Sequence, residues 1–239
     1  MWAARAARAR LLATRYPASA EILAFYARLA EWQGEIASQL AAVESVADCW
    51  GSLLELVERF GPPLLSQAAR RLDPGNGPAL VEQFRSRLGA PLGTLDDFFA
   101  RAALQPVAAG RSAGLESEEA SSQCPRCRHP PQVGCLRQQG EGQALEMVCS
   151  LCLERWPFLR LYCPGCGESE PTRLAQFATA EFPHLRIYAC ESCRGYLAVV
   201  DLDVDPEAIP EVDELAGLPL DLWARQQGYW KLYPNLAGV

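Results

Sequence analysis

Eight of the ten cysteines in this 239-residue chain fall between positions 124 and 193, as four C-x-x-C pairs: Cys124/Cys127, Cys149/Cys152, Cys163/Cys166 and Cys190/Cys193. Ten cysteines placed at random in a chain of this length would give about 0.4 such pairs, so the set is placed and implies a ligand. A thiolate is a soft ligand, and four of them fill a tetrahedral metal site. The i,i+3 spacing lets one tight turn aim both sulfurs at a single point, while N–H groups of the turn reach the sulfurs and disperse their charge.

The gaps sort the pairs into two units. Between Cys127 and Cys149 lie 21 residues, between Cys166 and Cys190 lie 23, and only 10 separate Cys152 from Cys163. The region is an internal repeat, the second copy displaced by 39 residues at its first pair and 41 at its second. The repeat assigns Cys124, Cys127, Cys149 and Cys152 to one site and Cys163, Cys166, Cys190 and Cys193 to the other. Four thiolates suit zinc and rubredoxin-type iron equally. Disulfides need an oxidising compartment, for which the sequence carries no export signal, and none of the four pairs enters a helix of a βαβ pattern as a thioredoxin-like dithiol does. Gly167, just after Cys166, suits a knuckle turn, whereas Arg128, Leu153 and Arg194 hold the matching places without glycine's freedom. The remaining cysteines, Cys49 on an apolar helical stripe and Cys135 after Val133-Gly134, read as small core residues. His129 and His184 read as surface histidines, since eight cysteines already complete two sites.

The elements that must position these residues are short strands. Ala144–Val148 leads into the second pair, Arg160–Tyr162 into the third and Leu185–Tyr188 into the fourth, and Tyr196–Val200 leaves it. Before them lies a helical half. Ile22, Phe25, Tyr26, Leu29, Trp32, Ile36, Leu40 and Val43 recur at three- and four-residue steps, as do Val46, Cys49, Trp50, Leu53, Leu54, Val57 and Phe60 up to Gly61-Pro62-Pro63. Shorter helices are expected over 64–72, around Leu80–Leu88, and after an N-cap at Thr94. The Arg-rich, acid-free start resembles a transit peptide, but its pattern runs on into the next segment, so a first domain helix is expected there. Residues 110–123, small and acidic apart from Leu115, read as a linker. From Asp201 to Asp221 come Asp201, Asp203, Asp205, Glu207, Glu211, Asp213, Glu214 and Asp221 without a basic residue, the pattern of a solvated face.

The reading is therefore α+β: an all-α domain over 1–109, a linker over 110–123, two tandem rubredoxin-like or zinc-ribbon four-cysteine lobes over 124–200, and an acidic tail with a short helix over 201–239. No apolar run reaches the 18 residues of a membrane span. The net charge of −7 opposes a nucleic-acid partner, and only Arg155, Arg160, Arg173, Arg186 and Arg194 offer a small basic face. A redox or hydrolytic enzyme would need a catalytic constellation, and no paired carboxylates, Ser/His/Asp set or phosphate loop can be placed.

CPRC with prolines behind it, CSLCLERW, CPGCG, C-x-x-C-x-GYL, then VDP, DELAGLPLD and GYW together resemble the formate dehydrogenase accessory protein family, FdhE, over almost the whole chain. Cys149–Trp156 is the most specific part. Arg128-His129 departs from the glycine more usual there, and Ile187-Tyr188-Ala189 from an acidic residue before Cys190. The resemblance implies a cytoplasmic accessory factor rather than an enzyme, with all eight paired cysteines holding two metal ions, iron or zinc. It implies the catalytic subunit of a respiratory formate dehydrogenase as partner, bound before export, with no nucleic-acid or membrane partner and self-association left open. The alternative is a zinc-ribbon module for nucleic acid or another protein. Trp223, Tyr229 and Trp230 read as a seam between domains in preference to a docking surface.

Overall fold

The computed structural model describes residues 1–39, 47–86, 95–110 and 121–236. Leu40, Val43, Val46, Leu88, the Thr94 cap and most of the linker, including Leu115, lie outside the described residues. The chain divides into two compact units, one from Met1 to Ala113 and one from Gly114 to Asn235.

The first unit is helical: α1 (Trp2–Arg15), α2 (Ala20–Ser38), α3 (Ala47–Phe60), α4 (Pro63–Arg71), α5 (Gly77–Ser86) and α6 (Leu95–Gly110). The Arg-rich start forms α1, which buries Trp2, Arg5, Ala9 and Leu12. It stops at Tyr16, held extended at φ −124° and ψ 83° before Pro17. The periodic residues supply the core. Leu23, Leu29, Trp50, Leu53 and Phe99 are all fully enclosed, and Phe98 meets Phe99 edge-on with ring centroids 5.1 Å apart. Gln33, buried on α2, donates its amide N–H groups to the Ala102 carbonyl and the Gln105 side chain, both at 3.0 Å, which satisfies the nitrogen inside that core.

The second unit is built on one seven-stranded sheet: β1 (Pro131–Gln139), β2 (Gly142–Cys149), β3 (Arg155–Phe158), β4 (Leu174–Ala178), β5 (Leu185–Cys190), β6 (Gly195–Asp201) and β7 (Trp230–Lys231). Its order is β3-β2-β1-β6-β5-β4, with β7 beside β6. β1-β2-β3 and β4-β5-β6 are two antiparallel ribbons, one per sequence repeat, and the parallel pairing of Gly134–Leu136 with Val199–Asp201 fuses them. Both joining strands are covered on both faces, which is why Val133–Leu136 and Tyr196–Val200 show no polar alternation. Two short helices, α7 (Pro210–Ala216) and α8 (Leu218–Gln226), follow β6. α7 packs on β1 and β6. Leu220, Trp223 and Ala224 of α8 close over Phe177, Ile187, Ala189 and Tyr196.

Four expectations need correction. Arg160–Tyr162 is a turn, because the chain there crosses from one ribbon to the next and has no strand to pair with. The acidic run is not a solvated face: Asp201, Glu211, Asp213, Glu214 and Asp221 are buried. Burial is tolerated because partners meet them. Asp201 receives Arg186 at 2.7 Å, and Lys231 lies 2.6 Å from Glu214 and 3.0 Å from Asp221. The histidines are not on the surface either. His184 is buried with Nε2 3.0 Å from Asp213 Oδ1, and His129 is buried with Nδ1 3.1 Å from the Cys127 carbonyl oxygen. Finally, Trp223 and Tyr229 pack on the sheet of their own unit, with ring centroids 4.9 and 5.9 Å from that of Phe177.

Candidate metal centres

Each centre draws one cysteine pair from the loop before a ribbon and one from a hairpin turn inside it. Cys124 and Cys127 precede β1, while Cys149 ends β2 and Cys152 lies in the turn to β3. Cys163 and Cys166 precede β4, while Cys190 ends β5 and Cys193 lies in the turn to β6. The structure brings all eight together in these two sets of four, each with its sulfurs within 4.8 Å of one another.

The four knuckles share one backbone form. Cys124, Cys149 and Cys163 each donate their N–H to the carbonyl five residues on, those of His129, Glu154 and Glu168, at 2.8–2.9 Å. The residue after the second cysteine then turns left-handed: φ is +64° at Arg128, +64° at Leu153, +79° at Gly167 and +58° at Arg194. Three side-chain-bearing residues thus occupy the conformation for which only Gly167 is suited, each at a cost of about 1–2 kcal/mol. The third knuckle is distinguished by its residue and not by its geometry. Arg128 is exposed, so Arg128→Gly is expected to stabilise the second unit by about 1 kcal/mol, read as a higher urea midpoint at unchanged slope. Gly167→Ala is expected to lower it, since a Cβ there would also sit 3.0 Å from the Tyr162 hydroxyl.

Sulfur separations test the fit to a metal. In the first centre they are 3.3 Å for Cys127–Cys149, 3.5 Å for Cys127–Cys152 and 3.6 Å for Cys124–Cys152. In the second, Cys163–Cys193 and Cys166–Cys190 are both 3.7 Å. A tetrahedron with metal–sulfur bonds of about 2.3 Å has edges of about 3.8 Å. The Leu151 and Cys152 N–H groups point at Cys149 Sγ at 3.4 Å, and that of Gly195 at Cys193 Sγ at 3.4 Å, the donors a thiolate cluster needs. Without a cation the four thiols of the first set cannot ionise together. Hydrogen bonds from Cys124 and its neighbours pull Cys127 down, whereas burial pushes Cys149 up. The donor set and spacing therefore fit one divalent or trivalent ion per centre, bound with proton release.

Two different clamps hold the centres. In the first, the buried Trp156 indole on β3 donates to the Ser121 carbonyl at 2.7 Å, tying the approach to one knuckle to the exit from the other. In the second, the C-terminal segment does this work. Leu232 packs on Cys163 and Cys190, Trp230 donates to the Cys193 carbonyl at 2.8 Å and Tyr233 to that of Pro164 at 3.2 Å. A Cβ at Gly165 or Gly195 would lie 2.4 Å from Leu232, so both knuckles need glycine for this approach. Sequence reasoning singled out Trp156 and Trp230 but missed Leu232 and Tyr233, whose partners lie far back in the chain. Cys135 stands apart from both centres on β1, where burial pushes its thiol up to about 12.

Comparison with known proteins agrees with this architecture. Residues 161–237 match the family model described as FdhE, C-terminal domain. The protein FdhE homolog of Aquifex aeolicus is 28% identical over 193 residues, which cover 78% of this chain and 68% of that one. That of Pseudomonas aeruginosa is 37% identical over 150 residues, 58% of this chain and 48% of the relative, so the match spans about half its length. The crystal structure of the FdhE protein from Pseudomonas aeruginosa superposes with a TM-score of 0.75 at 26% identity, over 99% of this chain and 95% of that one. With the two four-cysteine centres in place, the chain shares its fold along its length with an FdhE protein, and its residues 161–237 match the C-terminal domain of that family.

Proposed function

We propose that this chain is a metal-carrying accessory protein of formate dehydrogenase maturation, which binds the catalytic subunit of a respiratory formate dehydrogenase in the cytoplasm before export. The observation that carries this reading is the pair of convergent four-cysteine centres inside a fold shared with an FdhE protein over nearly all of both chains. Cys124, Cys127, Cys149 and Cys152 would hold one ion, and Cys163, Cys166, Cys190 and Cys193 the other. Zinc there supplies cross-links alone, and iron adds a one-electron couple. The role is one of binding and not of catalysis: the ligand sets are complete without an open position, as in structural sites. Among the described residues no helix is long and apolar enough to cross a membrane.

The basic face offered by the sequence also supports a protein partner over nucleic acid. Arg186 is bound by Asp201 at 2.7 Å and Arg194 is paired with Glu191. Two of the five arginines are thus neutralised by neighbouring carboxylates, which weakens the face as a phosphate site.

The test is capture of the catalytic subunit from an extract of formate-respiring cells, with the wild type beside Cys149→Ser/Cys152→Ser. The wild type is expected to retain the subunit and the variant to lose most of it, because half of one centre's ligands are gone. Recovery of RNA or DNA in its place would favour the zinc-ribbon alternative, and equal capture by both would remove the metal region from the binding surface.

A further inference from the structure

The two edges of the sheet are unlike. The β3 edge is blunted by Arg155 and by Pro157 at its middle. The β4 edge, Leu-Ala-Gln-Phe-Ala over 174–178, carries no charge and no proline, and Gln176 and Ala178 are exposed. Natural sheets protect such edges, because a row of unused N–H and C=O groups is a template for another strand.

The register tells which groups are unused. Leu174 opposes Cys190 and Gln176 opposes Tyr188 across the β4–β5 pair. The Glu191 N–H donates to the Arg173 carbonyl at 2.9 Å, so Arg173, and by alternation Ala175 and Phe177, face β5 with their backbone groups. Those of Leu174, Gln176 and Ala178 face outward. The Leu174 N–H is taken by the Pro171 carbonyl in the preceding turn. An incoming strand would thus find the Leu174 carbonyl and both backbone groups of Gln176 and Ala178.

The same residues border a small cavity of about 30 Å³ on one face of the sheet, lined by Leu174 and Gln176 together with Tyr188, Leu197, Leu145 and Met147, and reaching Cys163 and Cys190 of the second centre. The Tyr188 hydroxyl is buried there without a hydrogen-bond partner, a cost that an arriving acceptor would remove. On the other face the edge presents Phe177 against Trp223. A strand laid on β4 would therefore place alternate side chains over the cavity and beside this aromatic pair.

We infer that the β4 edge and its cavity bind an extended, uncharged, apolar segment of a partner polypeptide by strand addition. The open backbone row selects an extended chain, and the two apolar faces select its side chains. A second copy of this chain fits less well: antiparallel pairing of β4 with itself about Gln176 brings another Gln176 amide to the cavity in place of an apolar group. The inference deepens the function proposed above and takes the identity of the partner from it.

The experiment uses the full, metal-loaded chain and overlapping synthetic peptides covering the catalytic subunit of a formate dehydrogenase, followed by fluorescence anisotropy. The Gln176 N–H makes no bond within the sheet, so Gln176→Pro removes a donor from the open edge while leaving the fold's own ladder whole. Peptides with an apolar uncharged stretch are expected to bind the wild type and Gln176→Ala alike, and Gln176→Pro at least about tenfold more weakly. Hydrogen exchange on the wild type is a second readout, free of any folding defect in the variant. Bound peptide should slow the amides of Gln176 and Ala178, which face outward, with little change at Ala175 and Phe177. Equal binding of subunit and peptides by wild type and Gln176→Pro, or unchanged exchange at Gln176 and Ala178, overturns strand addition while leaving the accessory role standing. A wild type that binds neither subunit nor peptide overturns both, and a concentration-dependent dimer abolished by Gln176→Pro, with no peptide bound, assigns the edge to a second copy.

Discussion

Chelation of the metal, or Cys149→Ser/Cys152→Ser, is expected to unfold the entire second unit, including the ribbon whose own four cysteines are untouched, while the helical circular dichroism of residues 1–113 largely persists. A four-thiolate ion contributes about 10–16 kcal/mol of binding free energy that counts toward folding, which matches or exceeds the about 5–15 kcal/mol by which a whole domain is ordinarily stable. Separate lobes would lose one ion each and fail singly. Here β1 and β6 are hydrogen-bonded neighbours in one sheet, and each is buried by the other's ribbon and by α7. Hydrogen exchange resolves the outcome residue by residue. Amides of β5 and β6 should lose protection together with those of β1 and β2, and persistence of the β4–β6 ribbon in the variant would show that the fused sheet is not one cooperative unit.

Lys231→Met is expected to destabilise the same unit by about 3–5 kcal/mol, since it leaves two carboxylates buried without their cation. Lys231 is the only lysine in the chain. Its side chain is 1% exposed, and Nζ lies 2.6 Å from Glu214 Oε1 and 3.0 Å from Asp221 Oδ2. Gln132 donates to Glu214 and Tyr196 to Asp221, both at 2.9 Å, so the network ties β1, β6, β7, α7 and α8 together. Burial raises the Glu214 carboxyl to about 7 from an ordinary 4.5, with Lys231 opposing the rise. Burial opposes protonation of Lys231, but Glu214 and Asp221 outweigh it and hold its pKa above the ordinary value. An acid whose folded pKa lies above its unfolded value loses stability as pH rises from the lower value through the higher. Without Lys231 the folded value climbs further, so the deficit should be smallest near pH 4.5 and grow through and beyond pH 7. A deficit independent of pH would mean that lost packing and not stranded charge sets the cost, and Lys231→Met/Glu214→Gln/Asp221→Asn should recover part of the loss.

What could be read from the sequence follows from how local each signal is. The knuckles are four-residue events, so Cys124/Cys127 and its three counterparts announce themselves without knowledge of the fold, and the helical stripes of α2 and α3 do so by periodicity alone. The parallel joint between β1 and β6 pairs residues more than sixty positions apart, and nothing near Gly134 or Val199 marks it. The acidic run misled because charge is ordinarily solvated. Its explanation sits in His184 and Arg186 before it and Lys231 after it, and a lone lysine among many arginines was the available hint: a compact ammonium with three rotatable donors reaches both Glu214 and Asp221. The left-handed turns at Arg128, Leu153 and Arg194 show the opposite lesson. Residue type argued against the conformation there, and closure around the metal site outweighs that local preference.

Both cysteine sets are expected to hold metal, and to do so as parts of one cooperatively folded sheet. Elemental analysis of the full chain purified without oxygen, with its visible spectrum to separate iron from zinc, tests it most directly. Two equivalents per wild-type chain are expected, falling to one or fewer in Cys149→Ser/Cys152→Ser. Metal-free protein that stays folded in its second unit, or a wild type and variant with equal metal content, would contradict it.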